Sequence, residues 1–168
     1  MIHAIIYTSN TGHTEKYAML LGEKTGLPVY SLSEGKKKLS KGEKVIYFGW
    51  ISAMRVKGLK EARAQYSVEA VCAVGMCGTG NLIADIKKAN SITDGTPLFT
   101  LQGGIDTARL RGLNRAVISM MHKGLRDKKN KTDDEKRMLE LLSTGRDCVS
   151  SENLEYVLSF VRRNIHVA

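Results

Sequence analysis

The sequence lacks a long apolar run, a set of cysteines that could form paired disulfides, and a metal-ligand motif. No apolar run in the 168 residues approaches the roughly 20 that a membrane-spanning helix needs. The three cysteines cannot all pair with one another, and no C-x-x-C or Cys/His metal spacing is present. The N-terminus, MIHAIIYTSN, has no basic n-region. We therefore expect a cytoplasmic protein with free thiols that begins with a strand.

Acidic and aromatic residues are also scarce. Twenty-six Lys and Arg residues against 17 Asp and Glu give a net charge of +9. This excess suggests an acidic partner, an anionic membrane surface or a polyanion, although surplus lysines also suit an ordinary solvated surface. Aromatic residues make up 6% of the chain, which is low for a protein that stacks bases, so we do not expect nucleic acid as a partner.

Short apolar runs alternate with segments of helical period over the first hundred or so residues. The runs are residues 2–7, 28–32, 44–49, 69–75 and 97–101. This alternation favours a parallel sheet covered by helices, and the nearly continuous apolar character of three runs suits strands that are buried on both faces. With no internal repeat and no linker, residues 1–168 are expected to form a single α/β domain.

The segments between the runs differ in their helical signal. Apolar stripes predict helices at residues 17–21, ending at Gly26, and at residues 82–86. Residues 58–66 predict a short helix. The lysine-rich residues 32–41 predict a loop or a single turn.

Three helices are predicted beyond the fifth run. The first is long and basic, with an apolar stripe of Leu110, Leu113, Val117, Met120 and Met121. Thr132 and Glu135 form a capping box that begins the second helix, and Gly145 ends it. The third begins near Ser151 and ends at two arginines, residues 162–163, where cations suit the helix dipole.

A polar loop joins the first run to the first helix. Backbone N–H groups in such a loop, together with the helix dipole, suit a phosphate. The loop has no lysine and no pair of glycines, which excludes the common triphosphate and dinucleotide motifs. It predicts one phosphate held mainly by neutral hydrogen bonds, with a plain helix-capping turn as the alternative. The candidate ligands are Ser9, Asn10, Thr11, Gly12, His13 and Thr14.

These six residues, SNTGHT, match the pattern Ser/Thr-x-Thr-Gly-x-Thr and resemble the phosphate loop of the flavodoxin family, in the same place along the chain. The resemblance implies a flavodoxin-like three-layer α/β sandwich with a five-stranded parallel sheet in the order 2-1-3-4-5, extra C-terminal helices, and non-covalently bound FMN. Residues 102–142 are more loosely similar to flavodoxin-domain proteins grouped with menaquinone-dependent protoporphyrinogen oxidase.

In that family the flavin ring lies between the loops that follow the third and fourth strands. The residues implied here are Trp50, Ile51, Ser52, Ala53 and Met54 in one loop, Met76, Cys77, Gly78, Thr79 and Gly80 in the other, and Gly103 and Gly104 on the same rim. Trp50, the only tryptophan, either stacks on the ring or fills the rim of the core. No catalytic residue is assigned, since a flavin carries its own electrons.

The expected function is electron transfer by an FMN-binding protein, as a redox carrier with a partner protein or as a small flavin oxidoreductase. A quinone-linked enzyme of the protoporphyrinogen-oxidase-like kind is the alternative. A flavin-free signalling or nucleic-acid-binding module is the second alternative, although a receiver domain would need clustered acids after the first strand.

The long basic helix leaves a further choice open. Its apolar stripe is flanked by Arg109, Arg111, Arg115, Lys123 and Arg126. Such a helix either rests on an anionic bilayer at the inner face of the membrane, where a quinone is within reach, or packs on the sheet with its charges in water.

Overall fold

The computed structural model describes residues 1–106, 108–110 and 112–164. The strands are β1 (Ala4–Thr8), β2 (Val29–Ser31), β3 (Lys44–Ser52), β4 (Arg55–Val56), β5 (Ser67–Gly75) and β6 (Leu98–Gln102). The parallel strands lie in the order β2-β1-β3-β5-β6, and β4 pairs antiparallel with the end of β3. Counted without β4, this is the predicted flavodoxin-like order 2-1-3-4-5.

The central strands are apolar on both faces, as their sequence predicted. Ile5 of β1 pairs with Ile46 of β3, and both side chains are fully buried in one core. Their neighbours Ile6 and Tyr47 are fully buried in the other core. Because side chains alternate along a strand, an uninterrupted apolar run is needed to fill both cores.

Helices cover both faces of the sheet. In chain order they are α1 (His13–Thr25), α2 (Leu32–Lys38), α3 (Leu59–Gln65), α4 (Ile83–Ala89), α5 (Gly112–Asp127), α6 (Asp133–Thr144) and α7 (Glu155–Asn164), with a 3₁₀ turn (Glu152–Leu154) before α7. Helices α1 and α7 pack on one face, and α2, α3 and α4 pack on the other. The sheet and the two layers of helices therefore form a three-layer sandwich.

The prediction of a loop or single turn at residues 32–41 is wrong, because α2 covers Leu32–Lys38. The Ser31 hydroxyl accepts the Glu34 N–H at 3.2 Å, and the Glu34 carboxylate accepts the Ser31 N–H at 2.9 Å. This capping box satisfies donors at the start of the helix. Three lysines in the last turn suit the negative end of the helix dipole.

Helices α5 and α6 lie between β6 and α7 and pack against each other. Their contact buries Leu141 and Leu142 beside Leu110, with Ile118 and Leu125 of α5 partly buried there. The predicted capping box at the start of α6 is present, and the helix ends at Gly145 as predicted. This pair of helices therefore has a small apolar cluster of its own.

The predicted apolar stripe of α5 is not packed on the sheet. We use "α5 stripe" for Leu113, Val117, Met120 and Met121, which are 85%, 54%, 74% and 37% exposed. Helix α5 turns Ile118 and Leu125 towards α6 instead. The expectation that these four residues pack on the sheet is therefore wrong, because neighbouring positions of the helix make its contacts. Leu110, the fifth predicted member of the stripe, is buried in the cluster with α6, and the described flanking cations lie in water as that alternative expected.

Gly104 lies where the chain leaves β6 for the α5–α6 pair. It forms an antiparallel bridge with Asp147 and has a φ of 96°. A Cβ atom there would collide with the Arg146 carbonyl oxygen and lie 3.1 Å from the Cys148 nitrogen. These are backbone atoms, which cannot swing aside, so both the conformation and the space require glycine.

We predict that Gly104→Ala lowers the free energy of unfolding by roughly 3 kcal/mol, the sum of left-handed strain and overpacking. Gly42→Ala is the matched control, since Gly42 has a φ of 86° with open space around it. That control should lose only about 1 kcal/mol, the left-handed strain alone. Urea denaturation measures both, and equal losses would contradict the role of the collision.

Candidate functional site

A cleft of about 370 Å³ opens at the carboxyl edge of the sheet. It lies near the point where the strand order reverses between β1 and β3, which is where doubly wound sheets bind ligands. The predicted residues that line it are Asn10, Thr11, His13, Thr14, Trp50, Ile51, Ser52, Ala53, Met54, Met76, Cys77, Gly78 and Gly104. The volume is within the range of small-molecule sites.

Five other predicted residues are not among those that line the cleft. They are Ser9, Gly12, Thr79, Gly80 and Gly103. The Ser9 hydroxyl accepts the Gly12 N–H at 3.1 Å, and the Thr79 hydroxyl accepts the Gln102 N–H at 3.0 Å. A Cβ on Gly103 would lie 2.6 Å from a Val74 methyl carbon, so this glycine permits close packing behind the cleft.

The loop after β1 presents an uncapped helix N-terminus. Gly12, with a φ of 99°, precedes α1, and no side chain caps it. Within the described residues, no acceptor meets the N–H groups of His13, Thr14 and Glu15. Together these donors carry the positive end of the helix dipole, equivalent to roughly half a charge. The geometry suits an anion.

Arg109 adds a cation that the sequence analysis placed only along a basic helix. It precedes α5, and its Nη1 lies 3.5 Å from the Thr11 carbonyl oxygen. Its Nε is 3.3 Å from a carboxylate oxygen of Asp106. The loop was expected to hold a phosphate mainly through neutral donors, but the structure also brings a guanidinium to it, from 98 residues away in the chain.

His13 is buried, whereas a histidine in a loop is more often solvated. Its Nδ1 lies 3.1 Å from the Thr11 hydroxyl, and its Nε2 lies 3.7 Å from Asp147. Asp147 also forms an ion pair with Lys16. Burial lowers the pKa of His13, although the Asp147 charge opposes this. A neutral His13 therefore stabilises the loop through its hydrogen bond with Thr11.

The second loop is a tight hairpin with unusual backbone. Ala53 and Met54 join β3 to β4 with φ angles of 48° and 63°, where Asn and Gly are the usual residues. The Asn90 side chain donates to the Met54 carbonyl at 2.8 Å and accepts the Val56 N–H at 2.9 Å. Asn90 therefore holds a strained turn that lines the cleft.

Trp50 forms part of the cleft wall. Its side chain is half-buried, and the Lys57 ammonium lies 5.7 Å from the centroid of the indole. Such a cation over an aromatic face holds the ring in place. Burial, with the Asp134 charge, raises the pKa of Cys77 in the third loop, which favours the protonated thiol.

Thr100 of β6 also lines the cleft and was not predicted. Its hydroxyl oxygen is buried, and it has no hydrogen-bond partner among the residues that the structure describes. Apart from Asn81, the remaining wall is apolar and includes Ile105, Leu110, Val117, Ile118, Met121 and Met138. An isolated buried hydroxyl in an apolar wall is a natural partner for a polar atom of a ligand.

No protein-family model matches the chain, and neither does any curated protein. In the described part of the chain, no His, Cys, Asp or Glu residues are grouped in a way that could hold a metal ion. Nor does any helix within that part combine the length and apolarity that crossing a bilayer requires. The functional conclusion therefore depends on the geometry of the cleft.

We predict that Thr100→Val raises the free energy of unfolding of the ligand-free protein by about 1 kcal/mol, since it removes a buried, unpaired hydroxyl. Thr100→Ser keeps the hydroxyl and should show no such gain. If a ligand uses this hydroxyl, saturating FMN should stabilise the valine variant less than the wild type. Thermal unfolding with and without FMN measures this, and a valine variant no more stable than the serine variant would contradict the role of Thr100.

Proposed function

We propose that this protein binds FMN non-covalently in the cleft and transfers electrons, as a redox carrier or as a small flavin oxidoreductase of the flavodoxin family. The observation that carries the proposal is the uncapped N-terminus of α1, which opens on an apolar cleft at the reversal of strand order. FMN, when bound, supplies the exchange of one or two electrons.

The chain's own residues divide the binding between two ends of the cleft. At one end, the N–H groups that follow Gly12 and the hydroxyls of Thr11 and Thr14 suit a phosphate. At the other, Trp50 and the apolar wall suit a flat aromatic ring and exclude water from it. The unpaired Thr100 hydroxyl suits a polar atom at the edge of that ring.

No side chain of Asp, Glu, Lys or Arg is among the described residues that line the cleft. The cleft therefore has no ionised acid and base to pass protons to a bound substrate, and His13 is engaged by Thr11. This composition suits a protein whose cofactor does the redox chemistry while the protein orients it.

A quinone-linked flavoenzyme of the protoporphyrinogen-oxidase-like kind is the second candidate. Val117 and Met121 belong both to the cleft wall and to the exposed α5 stripe. The apolar lining thus continues to the surface, beside the exposed cations Arg115, Lys123 and Arg126. An apolar acceptor at the inner, cytoplasmic face of an anionic membrane would reach the cleft by this route. Arg111 lies outside the described residues.

The double variant Thr11→Ala with Thr14→Ala tests the FMN site. Two hydroxyls that bond a charged phosphate contribute about 1.5 kcal/mol each, so FMN affinity should fall roughly a hundredfold. Quenching of FMN fluorescence measures the dissociation constant. The control double variant Thr25→Ala with Thr144→Ala removes two hydroxyls that bond helix carbonyls instead. Equal FMN affinity in both double variants would count against the proposal.

The double variant Leu113→Ser with Met120→Ser tests the membrane route. Both side chains are highly exposed, so the fold should be unaffected. Burying each in a bilayer contributes on the order of 1.5 kcal/mol, so binding to anionic liposomes should fall at least tenfold. Tyr156→Ser, at a side chain 78% exposed on α7, is the control. Co-sedimentation that depends neither on anionic lipid nor on the α5 stripe would rule out this route.

A further inference from the structure

We propose that Arg109, which lies outside the cleft lining but beside Thr11, binds the phosphate, so that the segment between β6 and α5 makes the site select phosphorylated over unphosphorylated flavin by charge. The inference rests on the proposed FMN site. It concerns a residue outside the β1–α1 loop, carried by a part of the chain that is remote in sequence from that loop.

The position of the guanidinium is the first argument. Its Nη1 lies 3.0 Å from the place that a Cβ on Gly12 would occupy. The group therefore rests on the glycine backbone that begins α1, next to the uncapped N–H groups. A larger side chain at this position would displace it, so Gly12 makes room for the cation as well as for the turn.

The bonds of the guanidinium are the second argument. A guanidinium has five N–H donors, and here Nε faces Asp106 while Nη1 approaches the Thr11 carbonyl. That approach, at 3.5 Å, is longer than an ordinary hydrogen bond. Among the described residues, the other donors have no protein partner and face solvent, so they are free to meet a phosphate. Paired donors on a planar fork match phosphate oxygens.

Asp106 orients the arginine. One of its carboxylate oxygens accepts the N–H groups of Ala108 and Arg109 at 3.0 and 3.2 Å, and the other faces the Arg109 Nε. The carboxylate thus fixes both the turn and the direction of the side chain. This makes Asp106 a positioning residue for Arg109, although its own negative charge also repels a phosphate.

The experiment compares dissociation constants for FMN and riboflavin, which differ only in the phosphate. Arg109→Gln should weaken FMN binding about tenfold, the lower end for a hydrogen bond to a charged group because the side chain is largely exposed. Riboflavin binding should not change. Arg109→Lys should recover part of the loss, and Asp106→Asn should lower FMN affinity less than Arg109→Gln does.

Salt provides a second readout. FMN affinity of the wild type should fall with ionic strength more steeply than that of Arg109→Gln, because the variant lacks the screened charge. Arg162→Gln, at an exposed arginine near the end of α7, is the matched control and should behave like the wild type.

The outcomes separate the two proposals. Wild-type protein that binds neither flavin would overturn both. An unchanged dissociation constant for FMN in Arg109→Gln would overturn the role of Arg109 alone. An equal loss for both flavins would also overturn it, since Arg109 would then only shape the cleft.

Discussion

The parallel pairing of β1, β3 and β5 is the constraint on which the site depends. Parallel strands end at the same edge of a sheet, so three loops that are far apart in the chain meet there. The fit of particular side chains in each core fixes the register, because a slip of one residue would move every side chain to the opposite core. Trp50, aligned with Val74 of β5, reaches the cleft only in this register.

Local sequence patterns were sufficient for most of the fold. Continuous apolar runs mark strands with two buried faces, and their alternation with helices predicts that the strands pair in parallel. The strand order itself was implied by the resemblance of residues 9–14 to the flavodoxin phosphate loop. The Thr132 capping box and the glycines that end α1 and α6 were read correctly. Helix α2 was missed although Ser31 and Glu34 carry the same capping signal, because the lysine-rich stretch that follows has little apolar periodicity.

The remaining features depend on contacts that no local pattern contains. Arg109 meets Thr11, and Asp147 meets His13, only after the sheet has formed. The left-handed backbone at Ala53 and Met54 has no glycine to signal it and depends on the tertiary bonds of Asn90. The side of α5 that packs on its neighbour could not be predicted either, because the periodicity of a helix does not say which element its apolar side faces.

The central claim is that the loop before α1 binds the phosphate while the other two loops bind the ring. Backbone amide chemical shifts during titration with FMN and then riboflavin test it most directly. FMN should shift the amides of residues 11–14, 50–54 and 76–78, whereas riboflavin should shift the last two groups and leave residues 11–14 nearly unchanged. FMN shifts confined to other parts of the chain, or identical responses of residues 11–14 to both flavins, would contradict the account.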